Sequence, residues 1–224
     1  MRDGSRKDDD DKVSIIKLDK AGKTYENKRI LSDINLEINV NDRILIKGKS
    51  GSGKTTLSKL ICGLEIGDTG KILAENGEAL VKYSLLNGIF LISHSLKLIE
   101  SLSLFENSLI PLEFTGNDDE ESVNKLEEYY ESFGIMLSRD SVPEKTGAYE
   151  SVCGILSSYL TLKPKLLILD DVTKFMSKNE EDKFFNKLRE LYSGALVLIS
   201  DSIQNEAEYT KIYTLNKGVL KNEK

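Results

Sequence analysis

Residues 48–55 read Gly-Lys-Ser-Gly-Ser-Gly-Lys-Thr, and few segments restrict a fold so tightly. They match G-x-x-x-x-G-K-[ST], a phosphate-binding loop whose meaning depends on a strand before it and a helix after it. Both flanks comply. Arg43-Ile-Leu-Ile-Lys47 has the apolar run of a short buried strand, and Thr56-Leu-Ser-Lys-Leu-Ile-Cys-Gly-Leu64 has the pattern of a helix. Gly48, Gly51 and Gly53 let the backbone curl until its N–H groups face an anion. The new helix adds the positive end of its dipole. The candidate nucleotide ligands are therefore Gly48, Lys49, Ser50, Gly51, Ser52, Gly53, Lys54, Thr55 and Thr56. In this motif Lys54 reaches the β- and γ-phosphates, where it also serves catalysis, and the Thr55 hydroxyl holds Mg²⁺.

The rest of the chain supplies the pieces of a three-layer α/β core. Buried-type strands recur at Ile44–Ile46, Ile89–Ile92, Leu166–Leu169, Leu196–Ile199 and Ile212–Leu215, with helical segments between several of them. That alternation predicts a mainly parallel sheet. Ile34, Leu36, Ile38 and Val40 alternate with polar residues and, with Ser14–Leu18 and Lys71–Leu73, predict a small second sheet. The stretch from about Ser101 to Leu162 reads as helices. Val123, Leu126, Tyr130 and Phe133 share one face, and Gly134 is placed to end that helix. Lys178–Tyr192 predicts another amphipathic helix, with Phe184, Leu188 and Leu191 turned inward.

No apolar run approaches the roughly 20 residues of a membrane span. A net charge of −6 argues against a general nucleic-acid binder. Cys62 and Cys153 lie in apolar helical surroundings and read as reduced core thiols of a cytosolic protein. Met1–Lys12, MRDGSRKDDDDK, reads as a protease-cleavable expression tag, with a native acidic arm as the rival.

With these blocks in order, the chain resembles the nucleotide-binding domain of ATP-binding cassette (ABC) proteins over roughly Ile15–Leu220. Lys23-Thr-Tyr25 and Arg29–Ile38 are similar to the family's adenine-stacking segment and the strand before its phosphate loop. Leu98–Leu112, with Glu106-Asn107, resembles the segment after the family's Q-loop. Lys163–Thr173 resembles the Walker B strand. The resemblance implies a P-loop NTPase with a RecA-like core, a small antiparallel β region and an inserted helical subdomain. Residues 13–224 then form one ATP-binding domain, with the core at about 13–93 and 163–224 and the helical part at about 94–162. It implies that Tyr25 stacks on adenine and that Asp170, at the C-terminal edge of its strand, holds Mg²⁺.

Measured against that family, several positions depart. Asp171 stands where the family's catalytic Glu is expected, one methylene shorter. Asp201 stands at the switch histidine; an ionised carboxylate only accepts hydrogen bonds and repels phosphate. His94 stands at the Q-loop glutamine, as a site residue or as a plain loop residue. The Leu-Ser-Gly-Gly-Gln signature aligns with Thr146-Gly147-Ala148-Tyr149-Glu150, where a bulky ring and a charge should oppose a grip on phosphate. Ser177 stands at the family's dimer-contact Asp.

The resemblance implies an ATP-binding subunit of an ABC-type transporter or related membrane complex. It would bind ATP and Mg²⁺, pair head to tail with a second nucleotide-binding domain and dock on a transmembrane permease at the cytoplasmic face; the departures at Asp171, Asp201 and the signature imply that it cleaves ATP slowly. Glu106–Leu112 is most similar to families that export lipids, lipoproteins or peptides. Two alternatives stay open: a regulatory pseudo-ATPase that binds ATP without driving transport, and a soluble GTPase or kinase. The latter rests on Asn216-Lys217-Gly218-Val219, an incomplete guanine-reading motif in an expected hairpin turn.

Overall fold

The structure, a computed structural model, describes residues 13–75, 77–79, 88–201 and 206–224; the proposed tag therefore lies outside the described residues. In chain order the elements are β1 (Ser14–Tyr25), β2 (Lys28–Asn39), β3 (Arg43–Lys47), α1 (Lys54–Ile61), β4 (Thr69–Ala74) and β5 (Ile89–Ser93). Then follow α2 (Leu104–Thr115), α3 (Glu120–Phe133), α4 (Ala148–Thr161), β6 (Leu166–Asp170), α5 (Lys178–Leu191), β7 (Ala195–Ser200), β8 (Lys211–Asn216) and β9 (Val219–Asn222).

Two sheets organise them. A six-stranded sheet has the order β5-β6-β7-β3-β8-β9 and is parallel except for the β8–β9 hairpin. An antiparallel sheet has the order β2-β1-β4. The central strands are apolar at nearly every position because both of their faces are covered, as parallel strands require. Ile44 and Ile46 of β3, and Val197 and Ile199 of β7, enter a core shared with α1 and the antiparallel sheet. Leu45, Leu196 and Leu198 point the other way, into a core shared with α4 and α5. Three layers thus follow from one strand period.

The predicted alternation in β2 holds through Ile38 but fails at Val40, which lies past the strand and is 51% exposed. The cause is local. The Asp42 carboxylate accepts from Asn39 N–H at 2.7 Å, Asp42 N–H returns to Asn39 O at 3.1 Å, and Asn41 adopts a φ of 68°, so Val40 sits in the turn itself. The helical predictions hold. Leu126, Tyr130 and Phe133 are fully buried, and Gly134 ends α3 in the left-handed region. Phe184 and Leu188 of α5 are buried, with Leu191 packed partly against them. Both cysteines are buried and free, and burial pushes the Cys62 thiol up to about 11.

Glu106 and Asn107 have architectural roles. Ser103 and Glu106 form a reciprocal cap at the start of α2. The Asn107 amide stitches the preceding loop, accepting from Ile99 N–H at 2.7 Å and donating to the carbonyls of Ile99, Leu102 and Ser103. Ser177, too, is a cap: it opens α5 in a reciprocal pair with Glu180. Among the described residues no helix is long and apolar enough to cross a membrane.

Candidate functional site

The phosphate loop joins β3 to α1 at the C-terminal edge of the parallel sheet, where ligands bind in open α/β folds. Its shape is fixed by four features. Gly48 N–H donates to Ser200 O of β7 at 3.2 Å. Ser52 N–H closes a turn onto Lys49 O at 3.1 Å. Gly53 caps α1 at a φ of 105°, and a Cβ there would stand 2.9 Å from Leu31 Cδ2. The fourth comes from the β8–β9 turn. Gly218, in the β8–β9 turn, donates to Ser52 O at 3.0 Å and accepts from Ser32 N–H at 2.8 Å. The Asn216–Val219 segment is therefore a hairpin turn braced against the loop, as the sequence predicts.

Within the loop the Lys54 side chain is buried. Its ammonium donates to Gly48 O at 2.6 Å and lies 3.2 Å from Asp171 Oδ2. Asp171 sits just past β6 at a φ of 49°, with its N–H on Ile199 O at 2.9 Å. Its Oδ1 accepts from Asp201 N–H at 3.2 Å. The structure thus brings Lys54, Asp171 and Asp201 together, and it does so by turning the Asp171 carboxylate onto the lysine.

Asp170 ends β6 fully buried. Its Oδ2 accepts from the Ser58 hydroxyl at 3.2 Å, and its Oδ1 has no hydrogen-bond partner among the described residues. Burial raises its carboxyl above the usual range, with the Asp171 charge adding to the rise and the Thr55 and Ser58 hydroxyls opposing it. An orphaned buried carboxylate oxygen beside the Thr55 and Ser58 hydroxyls is a set of hard oxygen donors, and it fits Mg²⁺. Ser58 escaped sequence reasoning because it lies 112 residues from Asp170. The only hint was a hydroxyl on the inward face of a helix that is otherwise apolar there.

A raised carboxyl favours the unfolded chain as pH climbs past the ordinary value of 3.8, and the penalty grows as pH rises towards the raised folded-state value. Asp170→Asn is therefore expected to stabilise the nucleotide-free protein at pH 7, by on the order of 1 kcal/mol. Urea denaturation across pH checks this: the advantage over wild type should disappear below the ordinary carboxyl value.

His94 follows β5, its backbone N–H donating to Asp170 O at 2.9 Å. Its side chain is half-buried and its Nδ1 has no partner among the described residues. With Ser93, Thr146, Gly147 and Phe175 it lines a cavity of about 240 Å³. Tyr25 ends β1 with its ring 39% exposed and its hydroxyl on the Glu65 carboxylate.

The aligned signature residues lie at the start of α4. One expectation about them is corrected. The Tyr149 ring does not project over the helix N-terminus. It is buried, with its hydroxyl on Phe133 O at 2.8 Å and Lys183 Nζ 4.5 Å from its ring centroid. Tyr149, Val152, Cys153, Leu156 and Leu160 form the buried stripe of α4, and that spacing draws the ring inward. What remains at the helix start is charge. Gly147 caps α4 without a side-chain bond, Thr146 Oγ1 donates to Pro143 O at 3.0 Å, and Glu150 occupies the first turn. The Glu150 carboxylate lies so near that a Cβ on Gly147 would meet its Oε2 at 2.6 Å.

Comparison with known proteins agrees with this geometry. A family model described as ABC transporter matches residues 31–174. The lipoprotein-releasing system ATP-binding protein LolD of Rickettsia bellii is 26% identical over 196 residues, 86% of this chain and 89% of LolD. The methionine import ATP-binding protein MetN of Legionella pneumophila is 29% identical over 195 residues, 83% of this chain but 57% of MetN. Among solved structures, the dimeric bacterial ABC transporter cassette MJ0796 superposes with a TM-score of 0.83 at 21% identity, covering 94% of this chain and 98% of that one. MJ0796 has also been solved bound to ADP and Pi. The matched model spans more than half of the sequence, and the fold and phosphate loop agree with it: this chain belongs to the ABC transporter family, as an ATP-binding cassette.

Proposed function

We propose that the cassette binds ATP with Mg²⁺ at the Lys54 loop and cleaves it slowly. The nucleotide's phosphates would lie against residues 48–56, Tyr25 would meet the adenine, and Thr55 and Asp170 would hold the cation. Bound there, Mg²⁺ would neutralise charge on the phosphates. The observation that carries slow cleavage is the Asp171 carboxylate. One oxygen is 3.2 Å from Lys54 Nζ and the other accepts from Asp201 N–H, so the short side chain is drawn onto the lysine and pinned there, away from the position a longer glutamate would reach.

In this reading the chain works in a head-to-tail pair. The start of α4 faces the nucleotide of a second cassette, and the Glu150 charge weakens that contact. The helical part between β5 and β6 would pass closure of the pair to a permease, with the cassette peripheral to the membrane at its cytoplasmic side. Calorimetry with ATP and Mg²⁺ tests binding. We expect saturable heat that Lys54→Ala weakens by about 10- to 100-fold, the worth of charge-assisted hydrogen bonds. Single-turnover hydrolysis should fall well below about 10 s⁻¹, the median for enzymes. Absence of any ATP heat would overturn the proposal.

A further inference from the structure

Tyr25 is held from several directions, and the holding group is a residue the motif reading does not use. Helix α1 ends in a reversal at Gly63, whose φ is 72°. There Leu64 N–H and Glu65 N–H both donate to Lys59 O, at 3.0 and 3.2 Å. That reversal returns the Glu65 side chain to the end of β1, where its Oε2 accepts from the Tyr25 hydroxyl. The Glu65 side chain is only 20% exposed, and its own charge is matched by Lys59 Nζ at 3.5 Å and Lys23 Nζ at 4.0 Å. Lys23 in turn donates to Ile66 O at 2.9 Å and lies 5.3 Å from the Tyr25 ring centroid. Asp68 ties down the backbone beside it, accepting from Thr24 N–H at 2.6 Å. The contact with Glu65 also leaves its mark on the phenol, which partial burial and the carboxylate together push up to about 12.

We infer that Glu65 is a positioning residue for the nucleotide base, locking the Tyr25 ring in place relative to α1 before ligand arrives. This rests on the proposal that Tyr25 meets the adenine. The logic is preorganisation. A half-exposed ring that must be immobilised on binding gives up rotamer freedom at that moment, whereas a ring already fixed does not. Because α1 begins at Lys54 and its C-terminal reversal carries Glu65, the same helix sets both the phosphate contact and the place of the ring.

The test compares ATP with inorganic tripolyphosphate, which has no base, by calorimetry on the full chain. Glu65→Ala and Tyr25→Phe should each weaken ATP by about 3- to 10-fold and leave tripolyphosphate unchanged. Glu65→Gln, which keeps an oxygen acceptor for the phenol but loses the charge, should stay near wild type. The inference is overturned if Glu65→Ala and Tyr25→Phe bind ATP like wild type while Tyr25→Ala is weakened. It is overturned equally if Glu65→Gln loses as much as Glu65→Ala, or if tripolyphosphate weakens in step. Should Tyr25→Ala itself leave ATP binding intact, the base reading of Tyr25 fails and the role of Glu65 with it.

Discussion

Changing Asp171 to Glu and Asp201 to His in the same chain should raise the rate of ATP cleavage by about 100-fold, with ATP affinity altered little. The magnitude follows from placement, since a displacement of about 1 Å at a reacting group costs on that order. As the chain stands, the Asp171 carboxylate is held between Lys54 Nζ at 3.2 Å and Asp201 N–H at 3.2 Å. One more methylene carries the carboxylate past the lysine, towards the space where a water would attack. A histidine at position 201 exchanges a charge that repels phosphate for a group able to donate to it. Phosphate release under single-turnover conditions gives the rate, and calorimetry gives the affinity. A rate that stays within about threefold of wild type, with binding preserved, would show that these two positions do not limit cleavage.

The second large effect concerns stability. Gly218 has a φ of 78°, and a Cβ on it would stand 2.1 Å from Ile30 O. No rotation of a side chain relieves that contact, because the obstacle is backbone. Gly218→Ala should therefore cost about 2–4 kcal/mol, combining the left-handed penalty with strain from overpacking. The same substitution loosens the bond from Gly218 N–H to Ser52 O, so ATP affinity should fall alongside stability. Urea denaturation and calorimetry on the variant read both quantities. An unchanged denaturation midpoint would mean that the turn accommodates a side chain, and that its contact with the loop is incidental.

Much of this was legible in the sequence, and the reason differs from place to place. The phosphate loop could be read because its strand, turn and helix are contiguous, so local chemistry dictates local shape. Leu166–Leu169 and Ala195–Ile199 could be read because strands covered on both faces leave no polar positions. Asp170 and Asp171 then followed from standing at the end of such a strand. Tyr149 was misjudged because an alignment position was weighed without the helical period around it. Val152, Cys153, Leu156 and Leu160 already marked the inward stripe. The pairings Ser58–Asp170, Tyr25–Glu65 and Ser52–Gly218 were not legible, although the inward Ser58 hydroxyl hinted at its own role. Each joins residues far apart in the chain through a single hydrogen bond, which leaves no periodicity behind.

Strand β3 carries the phosphate loop, yet its two neighbours in the sheet, β7 and β8, are both encoded far downstream of it, after β6 and α5. A polypeptide emerging from the ribosome therefore exposes the Arg43–Lys47 segment unpaired until β7 and β8 follow it. The phosphate loop's strand gains its sheet neighbours only once those two strands have been released. Closing such distant pairings is slow, so the nascent cassette should be vulnerable to aggregation and dependent on chaperones until its C-terminal hairpin arrives.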